Sequence, residues 1–152
     1  MNRTELTEQI VDYIRTDTLL FYAPYPEKLT RLQEQKWGSV IARFNEKGAN
    51  LRPTKSLTVS TIDAGTRHLL QIKLEAFSDA ELPWFCELAG AYRSVLLAFA
   101  VCDGEVTEDE AFDLSCLEEL FQNELWQTDA EALKARQTRR TAAETARRHL
   151  KR

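Results

Sequence analysis

A chain of 152 residues with 43% apolar and 29% charged residues is long enough for one well-buried core, so residues 1–152 are expected to form a single domain. The longest apolar run, Leu82 to Cys102, is interrupted by Glu87 and Arg93 and falls short of the roughly 18 apolar residues a membrane span needs, which argues against membrane insertion. The net charge of −4 hides an asymmetry: Lys134 to Arg152 holds eight basic residues against Glu144 alone, so this end is strongly positive and the remainder more negative than the total.

In chain order, Thr4 to about Arg15 carries Leu6, Ile10, Tyr13 and Ile14 at helical spacing, with Glu5 and Glu8 near the positive end of the helix. Two prolines and an aperiodic aromatic cluster in Thr16 to Pro26 predict an extended connector over the core. A second helix starts at Pro26 and ends near Gly48, burying Leu29, Leu32, Trp37, Val40, Ile41 and Phe44 while Gln33 and Lys36 face outward. Asn50 to Thr61 alternates Leu57 and Val59 with small polar residues and predicts a short strand or a bare loop. A third helix is expected over Asp63 to Phe77, on Leu69, Leu70, Ile72, Leu74 and Phe77. Ser78 with Glu81 forms a capping box that opens the most hydrophobic helix, running to Val101 at the centre of the bundle. Thr128 with Glu131 would cap the final basic helix in the same way.

The fold class read from this pattern is all-α: one bundle of about six helices, with a short irregular or β-like segment near 50–61. Within it, Thr107 with Glu110 makes a further capping box and predicts a single helix from there to about Trp126. At about 100° per residue, Ala111, Leu114, Leu117, Phe121 and Leu125 share one apolar arc, and Glu118 falls inside it while Glu119 falls outside, beside Phe112. A carboxylate at such a place is most often paired with an arginine from a neighbouring helix or reaches out to water. The alternative is that part of the arc is exposed and meets a partner, with the carboxylate selecting which one.

No catalytic constellation is legible. His68 and His149 have no cysteine or carboxylate at ligand spacing, and the five glycines form no phosphate loop, so no cofactor, metal or small-molecule substrate is expected. Glu118 and Glu119 are adjacent and point about 100° apart, poor geometry for a catalytic pair. Cys86, Cys102 and Cys116 stand singly in apolar contexts and read as reduced core residues. The basic end could contact phosphates through Arg136, Arg139, Arg140, Arg147 and Arg148. It lacks interleaved aromatics for base stacking, however, and its alanines mark an apolar seam, which favours a helix packed on the acidic body.

Two segments carry a resemblance. Thr16, Asp17, Thr18, Tyr22, Pro26, Leu29, Gln33 and Trp37 in the first half, then Leu114, Ser115, Leu117, Glu118, Glu119, Phe121, Gln122 and Trp126, follow a spacing similar to that of the ATP synthase assembly factor that chaperones the alpha subunit of the catalytic sector. Leu120 stands where that family often has another acid, and Gln127 replaces its usual glycine. The resemblance implies the helical C-terminal portion of the family, or a naturally reduced member, in either case without the family's preceding β-rich domain. It also implies a non-enzymatic chaperone that binds the unassembled alpha subunit until the beta subunit takes over the same surface. Glu118 and Glu119 are then the acidic discriminators, Asp17 and Tyr22 the neighbouring segment, and Trp37 and Trp126 the braces. The expected compartment is the mitochondrial matrix, or the cytoplasm in a bacterium; the opening MNRTELTEQ has neither the apolar core of a secretory signal nor the character of a transit peptide. The competing function is a nucleic-acid or acidic-partner binding module acting through the basic last helix.

Overall fold

The computed structural model describes residues 2–56, 61–125 and 130–150, with 123–125 by backbone alone. Its helices are α1 (Arg3–Tyr13), α2 (Glu27–Glu46), α3 (Ala64–Glu75), α4 (Leu82–Tyr92), α5 (Val95–Cys102), α6 (Glu108–Ser115), α7 (Leu117–Leu125) and α8 (Ala130–Arg148). The all-α architecture is as expected. The count rises because two helices expected to be continuous are broken.

The first break splits the hydrophobic helix between α4 and α5. Arg93 adopts a left-handed backbone with φ of 54°, and the two helices bend by 119° across it. Ser94 ends the break by accepting the amide of Leu97 at 3.0 Å, as an N-cap. The bend sends α5 through the centre of the molecule, where every residue from Val95 to Val101 is buried. Each large side chain in such a site contributes roughly 1.5–3 kcal/mol by leaving water. Phe99 meets Phe85 with ring centroids 4.6 Å apart, and α4 packs between this central helix and α8. Among the described residues, no single helix is long and apolar enough to cross a membrane.

The second break falls at Cys116 and divides the helix expected from Thr107 to Trp126. The Ser115 hydroxyl donates back to the carbonyl of Phe112 at 2.6 Å, a local bond that competes with the helical ladder and bends it. Upstream, the Thr107 hydroxyl oxygen accepts the Glu110 amide at 3.1 Å, so the expected helix start is present.

Elsewhere the connector after α1 begins as two short 3-10 turns, Ile14–Thr16 and Thr18–Leu20, where extended chain was expected, and runs without helical turns from Phe21 to Pro26. Phe21 then pairs with Thr54 in an isolated parallel bridge, which is the β-like feature of the 50–61 segment; Leu57 to Ser60 lie outside the described residues. Gln33 does not face outward: it is fully buried, and its Oε1 accepts the Ala23 amide at 2.7 Å, pinning the connector to α2. Ile72, expected in the core, is 48% exposed. The Ser78–Glu81 box forms with both bonds, at 2.8 and 3.2 Å. Thr128 of the last box lies outside the described residues.

Candidate functional site: the acidic rim of the α2–α7 groove

The break at Cys116 resets the helical phase, and this decides where the two adjacent glutamates go. On α7, Leu117 and Phe121 are buried and Leu120 is half-buried, so the helix turns that face toward the protein. Glu118 lies about 60° round from Phe121 and is exposed. Among the described residues no ion-pair partner stands against it. Glu119 turns the other way and sits 3.8 Å from Arg136 and 3.7 Å from Arg139 of α8. A single uninterrupted helix would have put Glu118 with Ala111 and Leu114. Instead the inward arc is divided between two shorter helices, and Phe112, expected beside Glu119 off that arc, is buried on α6.

Two side chains hold the break in place. Trp37, 1% exposed on α2, donates from Nε1 to the carbonyl of Leu114 at 2.8 Å, one of the acceptors left free at the end of α6. Arg139, on α8, donates from Nε to the carbonyl of Ala91 at the end of α4 at 3.1 Å, and its other nitrogens reach Ser115 Oγ at 3.3 Å and Cys116 Sγ at 3.6 Å. A cation at the negative end of one helix and at the joint between two others is well placed electrostatically. Arg140 lies over the Phe112 ring at 4.7 Å and pairs with Asp109 at 3.0 Å. Three of the arginines considered for phosphate contact, Arg136, Arg139 and Arg140, thus face acids of the body.

A groove of about 630 Å³ opens between α2 and the α6–α7 pair, floored by Leu32, Val40, Leu114, Leu117, Leu120 and Phe121. A smaller hollow of about 230 Å³ continues it past Phe121 toward Lys28 and Arg31. The α7 residues that line it are Leu117, Leu120 and Phe121; Glu118 is not among them and stands one helical turn before Phe121, on the exposed side of the helix.

The other residues singled out from sequence fall in different places. Tyr22 is half-buried, its ring tilted 46° to that of Trp37 with centroids 6.1 Å apart. Asp17 is far inside: it has no exposed surface and accepts the amides of Leu19 and Leu96 at 3.0 Å each. Burial pushes its carboxyl up to about 6, against the opposing pull of those amides, the Ser94 hydroxyl and the Val95 amide. Its position is that of an internal clamp between the 3-10 turn and the start of α5. Trp126 lies outside the described residues. Trp37, Tyr22 and the glutamates therefore belong to one neighbourhood, and Asp17 to another. Sequence reasoning considered Arg139 only as a phosphate contact and missed its place at the α6–α7 joint, and it missed Ser94 as a cap; the adjacent Arg93 and Ser94, in an otherwise apolar stretch, were the available signal for the first break. Among the described residues no three His, Cys, Asp or Glu side chains converge as a metal site would require.

A family model described as ATP12 chaperone protein matches residues 1–45, the span that holds Asp17, Tyr22 and Trp37. Among solved structures, Atp12 from Paracoccus denitrificans superposes with a TM-score of 0.88 at 28% identity, over 96% of this chain and 63% of that one. The chain resembles the ATP12 chaperone family in both sequence and fold. An aspartate-to-lysine mutant of the Paracoccus protein gives the same TM-score of 0.88 and 28% identity, over 97% of this chain and 63% of its own. An Agrobacterium tumefaciens protein assigned as a candidate chaperone gives 0.87 and 25%, over 97% and 55%. The chain thus spans less than two thirds of the length of these solved proteins.

Proposed function

We propose that this chain is a holding chaperone in ATP synthase assembly, one that binds the unassembled alpha subunit of the catalytic sector and keeps its beta-facing surface from aggregating. The observation that carries the proposal is Glu118: an exposed carboxylate without an ion-pair partner among the described residues, on the helix whose Leu117, Leu120 and Phe121 line an apolar groove and whose joint to α6 is held by Trp37 and Arg139. The likeness to ATP12 chaperones supports it.

The physical task is to cover a free subunit interface, which is an oversized apolar patch. An apolar groove does the covering through burial. An exposed carboxylate one helical turn from its lining rejects surfaces without a basic counterpart, because desolvating an unpaired charge costs more than the apolar contact returns. Glu119 supports this by anchoring α7 to α8, while Trp37 and Tyr22 hold the opposite wall. Holding of this kind is binding alone and consumes no nucleotide. The solved relatives come from bacteria, and the compartment proposed is the one where the subunits meet, bacterial cytoplasm or mitochondrial matrix.

The test is light scattering of isolated alpha subunit diluted from denaturant, with and without this chain. Equimolar chain should suppress scattering from the alpha subunit and leave an unrelated aggregating protein unprotected. Undiminished scattering at several-fold excess of the chain sinks the proposal.

A further inference from the structure

We propose that the α2–α7 groove receives an amphipathic helix of the client that is acidic along one flank of its apolar stripe and basic along the other. The proposal rests on the chaperone reading above and specifies what the client must present. The walls of the groove carry opposite charge. On the α2 side stand Lys28, Arg31 and Lys36. On the opposite side stand Glu110 and Asp113. The far end is closed by an ion pair across the groove, Arg43 with Glu105 at 3.7 Å.

Local partners leave much of this charge available. Arg31 is engaged with Glu27 of its own helix at 2.5 Å, and Asp113 with Arg140 at 3.8 Å, while Lys28, Lys36 and Glu110 are exposed. Between these walls the floor is aliphatic and aromatic. Lys28 to Arg43 covers fifteen residue steps of α2, or roughly 22 Å, the length of about four helical turns. A helix laid there would set residues at i, i+3, i+4 and i+7 into the floor and one charged flank against each wall. Because the walls differ in sign, a helix with both flanks alike repels one wall in either direction. A helix with unlike flanks satisfies both, and the charge pattern selects its direction.

The measurement uses the full chain and three fluorescent 18-residue helical peptides with one shared apolar stripe: one with unlike flanks, one with both flanks acidic and one with both basic. Anisotropy should show the unlike-flank peptide binding at least tenfold more tightly than either of the others. In the K28E/K36E variant, where both walls are acidic, the basic peptide should become the tightest. Equal binding of all three peptides, or an order unchanged by the double substitution, overturns the proposal. Competition separates it from the chaperone reading. Release of bound alpha subunit by the unlike-flank peptide supports both. Alpha subunit that stays bound while the peptide occupies the groove overturns only the groove's role, and failure of the chain to bind alpha subunit at all overturns the chaperone reading itself.

Discussion

Both breaks in this bundle interrupt a helix that the hydrophobic pattern would carry straight through, and each has an acidic residue nearby, yet the two acids meet opposite fates. At the α4–α5 break, Asp17 reaches across from the connector and is used up by backbone amides inside the core. At the α6–α7 break, the joint is held by Trp37 and Arg139, and Glu118, one residue into the new helix, is left outside. The first break turns a chain into a core. The second turns a core helix into a surface helix and leaves a carboxylate exposed on the helix that lines the apolar groove.

If that contrast holds, removing the buried acid should hurt most. Asp17→Ala leaves the amides of Leu19 and Leu96 buried without acceptors, at about 1–3 kcal/mol each. Relief from burying a charge offsets part of this, and we expect a net loss of about 3 kcal/mol in urea unfolding, with client binding falling only as folded protein is lost. A loss below about 1 kcal/mol would mean that the clamp is not what fixes the break.

Arg139→Ala attacks the other break from behind. It strips the Ala91 carbonyl and Ser115 of a partner and leaves Glu119 with Arg136, for an expected cost of about 2 kcal/mol. Because Arg139 fixes the angle between α6 and α7, binding measured at full folding should weaken as well. Unchanged binding would show that α7 keeps its pose without it.

The pH dependence of Asp17 gives a smaller and more specific signal. The folded carboxyl keeps its proton up to about 6, whereas the ordinary value is 3.8, so between these limits the folded state binds more protons than the unfolded one. Its contribution is fully present below the unfolded value and is lost as pH rises through the folded one. Wild-type stability relative to Asp17→Asn should therefore improve by about 1 kcal/mol on going from pH 6.5 to pH 5. A flat difference, or one of opposite sign, would place the carboxyl in a more hydrated setting than the structure gives it.

These tests fall where sequence reasoning was weakest. Periodicity and capping boxes made the helices legible, because apolar spacing and the Ser78–Glu81 pair act within a few residues. The breaks were not legible. They depend on Asp17 meeting Leu96, Trp37 meeting Leu114 and Arg139 meeting Ser115, all contacts between residues far apart in the chain. A 100° projection carried through Cys116 therefore put Glu118 on the inward arc. Gln33 misled for the same reason: polarity suggested solvent, while its partner is the Ala23 amide of the folded-back connector.

The smallest expected change in stability is also the most telling. Glu118 is exposed and bonds to no described neighbour, so Glu118→Lys should shift unfolding by no more than about 0.5 kcal/mol. Glu119→Lys should cost more, because it sets a third cation beside Arg136 and Arg139. Binding should rank the two by a different logic. Reversing Glu118 replaces an exposed acid with a cation that repels a basic client surface, and affinity for the alpha subunit should fall at least tenfold, about 1.4 kcal/mol, in a protein that is otherwise intact. Reversing Glu119 should weaken binding only as far as α7 loosens from α8, so that restoring stability at a distant site restores binding too. If such second-site stabilisation instead rescued Glu118→Lys, the carboxylate would be part of the scaffold after all, and the two breaks would be alike in function as well as in form.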